Sequence, residues 1–170
     1  LSKSKKIFII NIEQYDLDFL NWANKKIKYY DLILGSKTAD MTINYQPKYR
    51  RFLTWGLNSI LNLFFKFNGS DTHGLKLLKM SDNIKKIILN TKLSRGQFDT
   101  ELTIKIIRKG YWVAEGPVKY IEQRPPKDLM IIKILQNIID LFSLYYVLKD
   151  YKVKRINYRR YCYNDIRKLK

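Results

Sequence analysis

The chain has 170 residues, 46% of them hydrophobic, enough length and apolar content for one domain with a real core and against wholesale disorder. Lys and Arg number 33 against 15 acidic residues, and the resulting charge of +18 calls for an anionic partner: a membrane leaflet, a phosphorylated ligand or a nucleic acid. One cysteine, Cys162, and one histidine, His73, exclude an internal disulfide and make a zinc site built from several Cys or His ligands untenable.

In chain order, Lys6 to Asn11 is rich in Ile and Phe and predicts a buried strand. Asn11 and Glu13 interrupt its apolar run before it resembles a signal peptide. Asp16 to Ile27 predicts a helix with Asp16 near its start, and Tyr30 to Leu34 a core strand closed by Gly35 and Ser36. Strand, helix and strand with short joints form the βαβ pattern of a mostly parallel sheet, so the expected class is α/β. Thr38 to Lys48 predicts a loop, and Arg50 to Phe65 a helix with one broad apolar face. Asp71 to Met80 starts as a polar loop and ends in a short element. Ser81 to Leu89 predicts a helix capped by Ser81, and Phe98 to Lys109 another stopped by Gly110. Tyr111 to Ala114 and Val118 to Glu122 predict two short strands around Gly116 and Pro117.

Leu129 to Leu148 is the most apolar helical stretch, yet Lys133, Gln136, Asn137 and Asp140 break it. No uninterrupted run reaches the roughly 18 to 20 apolar residues of a span. It therefore suits an amphipathic element at a membrane surface, or a helix buried against protein. Lys149 to Lys170 is a basic tail interleaved with Tyr151, Tyr158, Tyr161 and Tyr163. Such a tail grips nucleic acid or anionic lipid, but no zinc-finger, KH or RRM signature accompanies it, which argues against nucleic acid.

Four segments carry unusual chemistry. Asp31-Leu-Ile-Leu-Gly-Ser-Lys37 puts a lysine beyond a strand end, where open α/β sheets bind ligands. Ser70-Asp-Thr-His-Gly-Leu-Lys76 packs small and polar residues beside Asp71 and His73, a loop able to organise a hydroxyl or phosphate. Gln97-Phe-Asp-Thr-Glu101 sets two carboxylates at a helix start, where capping accounts for Asp99 and leaves Glu101 as the functional candidate. Gly116 to Lys127 runs from a strand into a proline-stiffened loop bearing Arg124 and Lys127, groups suited to a diphosphate.

Taken in this order, the segments resemble the family 2 glycosyltransferases that act on dolichyl and other polyprenyl phosphates. The resemblance runs from about Ile7 to Lys127. Asp31 to Lys37 is similar to a family strand ending in a Gly-Ser-Arg-like turn, with lysine replacing arginine. Arg50 or Arg51 matches the arginine opening the next helix, and Ser70 to Lys76 a Ser-Asp-x-x-x-Gly-Phe-Lys loop shortened by one residue. Phe98, Glu101 and Leu102 match Phe-x-x-Glu-Leu. Gly110 to Val118 matches Gly-Tyr-x-x-x-Glu-x-Pro-Val, and Glu122 to Lys127 an Glu-Arg-x-x-x-Ser-Lys-like loop.

The resemblance implies a GT-A-like mixed sheet with flanking helices, of which residues 1–127 form the acceptor-side part. Residues 128–148 are then a membrane-surface helix and 149–170 a basic, Tyr-rich tail. It implies inverting transfer of a sugar from a nucleotide-sugar to a polyprenyl phosphate, by a peripheral protein on the cytoplasmic face of an anionic membrane. Asp71 and Glu101 would serve catalysis, and Lys37, Arg51, His73, Lys76, Arg124 and Lys127 would bind substrate or phosphate. The family's Asp-x-Asp pair for Mg²⁺ or Mn²⁺ falls here on Asn11-Ile12-Glu13, leaving Glu13 beside a neutral, weaker ligand. The family's nucleotide-base-binding front end is missing, and the chain begins at Leu1. A piece of a longer enzyme is therefore expected, with its first strand at an exposed edge or awaiting neighbours. The alternative is a catalytically silent relative that binds membrane or a protein partner.

Overall fold

The computed structural model of the chain describes residues 4–10, 16–39, 47–94, 96–119, 130–162 and 165–166. In chain order the elements are β1 (Lys6–Ile9), α1 (Leu17–Lys26), β2 (Leu32–Ser36), α2 (Lys48–Phe65) and β3 (Lys76–Lys79), then α3 (Asp82–Leu89), α4 (Gly96–Arg108), β4 (Trp112–Pro117), α5 (Met130–Leu148) and β5 (Asn157–Arg160). The strands form one sheet in the order β1-β3-β2-β4-β5. β3 is antiparallel to both β1 and β2, whereas β4 runs parallel to β2 and to β5. Four strands thus point one way and β3 opposes them. The fold is the α/β mixed sheet flanked by helices that the sequence predicts.

Local chemistry sets the element ends. The Asp16 carboxylate accepts from the amides of Asp18 and Phe19 at 3.0 and 3.1 Å, opening α1. Ser81 Oγ accepts from the Ile84 amide and opens α3 in the same way. Gly110 closes α4 with φ of 84°, a left-handed conformation that costs glycine little.

The alternation of strand side chains builds two cores. Leu32 and Leu34 of β2, Leu78 of β3 and Val113 of β4 face one way, into a layer formed by α2 to α5 through Leu61, Phe65, Ile84, Ile104 and Leu144. Ile33, Leu77 and Ala114 face the other way, against Phe19, Trp22, Ala23 and Ile27 of α1. The result is three layers. Within the thicker one, residues 100–108 of α4 are buried all round. The Arg108 guanidinium donates to the carbonyls of Phe65 and Leu148, fixing the carboxyl ends of α2 and α5 side by side.

Several expectations change. Gly35 and Ser36 do not close β2 but belong to it, because Ser36 still pairs with Pro117 of β4. The first of the two strands expected around Gly116 runs on through Gly116 and Pro117 as β4, whereas Val118 and Lys119 lie beyond its end and the rest of the second expected strand lies outside the described residues. A Cβ on Gly116 would lie 2.8 Å from the Trp22 ring, so this glycine serves helix packing and not a turn. The basic tail contributes β5, and two of its tyrosines turn inward. Tyr158 bonds Glu115, while Tyr161 stacks edge-on to Trp22 with ring centres 5.2 Å apart. β1 is an edge strand and only partly covered, not the buried strand its composition suggested.

α2 departs furthest. Its apolar residues do not form one buried face: Leu61 and Phe65 enter the core, whereas Phe52, Trp55, Leu63 and Phe64 are each more than 60% exposed. On α5 the core takes Leu144 and Leu148, and Ile139, Phe142 and Tyr146 stay exposed. No helix among the described residues is long and apolar enough to cross a membrane.

Candidate functional site

β2, β4 and β5 end at one edge of the sheet, where β3 begins. The register shows it, with Ser36 opposite Pro117 and Lys76 between Ile9 and Leu34. Ligands of open α/β sheets bind beyond such carboxyl ends. Here the edge is crossed by residues 70–74. The Gly35 amide donates to Leu75 O at 2.7 Å, drawing the loop onto β2. A Cβ on Gly74 would sit 1.6 Å from Gly35 O, so only glycine permits this approach.

Ser70 is the anchor of the loop. Its amide donates to both oxygens of Glu115 at 3.2 Å, and its hydroxyl also donates to Glu115. Ser36 Oγ lies 2.7 Å from Ser70 Oγ and accepts from the amides of Thr38 and Ala39, so it is left to donate to Ser70. Thr38 Oγ1 and the Asn58 side-chain amide both donate to Ser70 O. Glu115 is fully buried in β4 and also accepts from the Tyr158 hydroxyl, with Arg160 Nε at 3.6 Å. Burial, then the Glu115 charge, pushes the Tyr158 hydroxyl well above its usual pKa, which keeps it a donor. These bonds join β2, α2, β4 and β5 at one serine.

Asp71 follows directly and is 3% exposed. Its Oδ1 accepts from the His73 amide at 2.9 Å. Its Oδ2 is buried and has no hydrogen-bond partner among the described residues. An unsatisfied buried carboxylate oxygen carries a desolvation cost that a ligand hydroxyl, ammonium group or cation would relieve. This is the unspent bonding capacity of the site.

Two predicted cations lie close by. The charge of Lys37, just beyond β2, reaches His73. Lys76 is fully buried, and its Nζ donates to Gly74 O at 3.0 Å and pairs with Asp99 at 3.1 Å. Burial lowers its pKa, with Asp99 opposing. Lys76 therefore props the loop from beneath, and its ammonium is not presented to solvent. Asp99, expected only as a helix cap, lies in the first turn of α4 and supplies the counter-charge.

Glu101 is not brought to Asp71. Its fully buried carboxylate accepts from the amides of Lys92 and Leu93 and pairs with Lys105, whose Nζ also donates to Asn90 O. Those bonds fasten the segment after α3 to α4. Only its neighbour reaches the loop: Thr100 Oγ1 lies 2.9 Å from Thr72 Oγ1. Arg51 sits partly buried at the start of α2. Asn11, Glu13, Arg124 and Lys127 lie outside the described residues. Among the described residues no three acids, histidines or cysteines converge to hold a metal ion. Asp71 Oδ2 offers one oxygen ligand, so Mg²⁺ or Mn²⁺ would need donors from elsewhere.

His73 makes the electrostatics measurable because it is the one histidine. Burial lowers its pKa below 6.5 more than Asp71 raises it. Its neutral form is thus favoured in the fold, and the linked stability is complete above pH 6.5 and lost as pH falls toward the folded value. The His73 ring protons should titrate by NMR with a midpoint below 6.5, and His73→Gln should flatten the acid-side stability profile. A midpoint at or above 6.5 would contradict this burial.

Glu115 and Tyr158 escaped prediction as site residues. The signal for Glu115 was present: one carboxylate in the otherwise apolar strand Trp112–Pro117. No family model and no curated protein matches the chain.

Proposed function

We propose that this chain carries the acceptor side of a family 2-type glycosyltransferase that moves a sugar from a nucleotide-sugar to a polyprenyl phosphate at a membrane surface. The observation that carries the reading is the meeting of the Ser36–Lys37 strand end, the Ser70–Lys76 loop and the Glu115 strand around the unpartnered Asp71 Oδ2. These are three of the segments on which the family resemblance rests, and it is their order in the chain that resembles the family.

In the proposed reaction an ionised phosphate oxygen of the acceptor attacks the anomeric carbon. The bond from that carbon to the nucleotide diphosphate breaks, and the configuration inverts. The nucleophile already carries its charge, so positioning and charge relief matter more than a strong base. Asp71 Oδ2 would accept from a sugar hydroxyl and set its orientation. Lys37 and Arg51, with Arg124 and Lys127, would offset phosphate charge. A divalent ion, when bound, would supply further charge relief at the diphosphate. The setting is the cytoplasmic face of an anionic membrane, with α5 lying along it.

A silent module that binds membrane or a partner is the second reading. It is favoured by the engagement of Lys76 and Glu101 in internal pairs. The deciding experiment supplies the chain, with its native flanking sequence, with labelled nucleotide-sugars, a short polyprenyl phosphate and Mg²⁺ or Mn²⁺. Label should enter the lipid fraction only when the lipid phosphate is present. Nucleotide binding without transfer from any donor would favour the silent module.

A further inference from the structure

α2 buries one side and leaves the other bare. At the helical spacing of 100° per residue, Phe52 and Leu63 lie within about 20° of the direction opposite the buried Leu61 and Phe65, with Trp55 and Phe64 at the two borders of that face, and all four are strongly exposed. Phe142 and Tyr146 hold the matching position on α5, opposite Leu144. Both helices cover the same side of the sheet, and Arg108 joins their carboxyl ends. Each helix thus presents an exposed apolar face of the kind that marks an interaction site on a soluble protein.

The charges say what covers them. α2 contains no acidic residue, and its first turn bears Lys48 and Arg51 with no side-chain cap at Pro47. Cations at a helix amino end oppose the helix dipole, an arrangement that an external anion relieves. The single acid of α5, Asp140, is engaged by Gln97 and Gln136. Lys149 lies 5.7 Å from the ring centre of Tyr146, at the border of the α5 face. Aromatic and aliphatic residues bordered by Lys48, Arg51 and Lys149, with Asp150 the one acid beside them, suit anionic lipid at the headgroup level.

We infer that α2 and α5 together form a docking surface for an anionic bilayer, with α2 inserting Phe52, Trp55, Leu63 and Phe64 at the interface. The inference shares the membrane setting of the proposed transfer, but it stands on the helix faces and not on the chemistry. It also fixes a distance. Asn58, on the inner side of α2, holds Ser70 O beside Asp71. The Asp71 loop then lies about one helix diameter, roughly 10 Å, above the headgroups, within reach of a phosphate on a lipid chain.

The test is co-sedimentation of the full chain with vesicles of phosphatidylcholine and phosphatidylserine in equal parts, and with phosphatidylcholine alone. Wild type should bind the anionic vesicles more tightly, less so at high salt, with a blue shift in tryptophan emission. Phe52→Ser with Leu63→Ser alters only exposed side chains, retains Trp55, and should weaken binding about tenfold or more with an unchanged Tm. Asp71→Asn should bind vesicles as wild type does even where transfer is lost, so the two readings fail separately. Binding by the double variant equal to wild type would overturn the inference, as would no preference for anionic vesicles. So would a wild-type dimer in solution that the double variant dissolves, since a second copy would then be the occupant.

Discussion

Asp71→Asn is expected to lower sugar transfer by about 10²- to 10³-fold, roughly 3–4 kcal/mol on the barrier, while leaving the Tm within a few degrees of wild type. Asparagine has the same shape and keeps a carbonyl oxygen for the His73 amide, so the loop geometry is preserved. What changes is the other atom, where an acceptor with no partner becomes an amide donor. A sugar hydroxyl aimed at Oδ2 would lose its acceptor. Oδ2 has no hydrogen bond to lose and the His73 amide keeps its acceptor, so the change costs the fold little. The loss should appear in kcat as well as kcat/KM if the contact tightens as the anomeric carbon separates from the diphosphate. Full turnover by the folded variant would remove Asp71 from the reaction.

Glu101→Ala should show the opposite signature. It strips the counter-charge from buried Lys105 and leaves the amides of Lys92 and Leu93 without their acceptor. Breaking a buried pair from one side costs about 3–5 kcal/mol, which for a chain of this size lowers the Tm by roughly 10 °C. Below its melting range, the folded variant should transfer sugar at a rate near wild type. Urea unfolding followed in parallel with the transfer assay separates the two effects. A Glu101→Ala protein with wild-type stability and lost transfer would return this residue to the chemistry.

The contrast between those two acids shows where the sequence is readable. Asp16 and Ser81 were legible as caps because a cap bonds to amides two or three residues away, within the span of local pattern. Leu32 to Leu34 was legible as a strand because its apolar run is short and bounded. The role of Glu101 depends on amides eight and nine residues earlier, across a turn between helices. Only Lys105, four residues on, hinted at a pair. β5 is read as a polar tail because Asn157-Tyr-Arg-Arg160 has almost no apolar content. What buries Tyr158 is a carboxylate 43 residues away, a contact with no local signature. α2 failed for a different reason. Its apolar residues extend around most of the cylinder, and periodicity cannot tell which part meets protein.

The position of β3 has a consequence for how the chain can acquire its structure. β1 and β2 are close in sequence, but the strand between them comes from residues 76–79. Among the described residues, nothing before Lys76 forms a strand-to-strand ladder, so α1 has no completed sheet to rest on until β3 arrives. A nascent polypeptide must therefore carry Phe8 and Ile33 unsheltered until residues 76–79 emerge from the ribosome. Closure of a gap by a late central strand is the slow, non-local kind of step. The lysines at both ends of β3, and Lys6 on the outer strand beside it, keep charge on segments that would otherwise invite pairing with other chains during that wait.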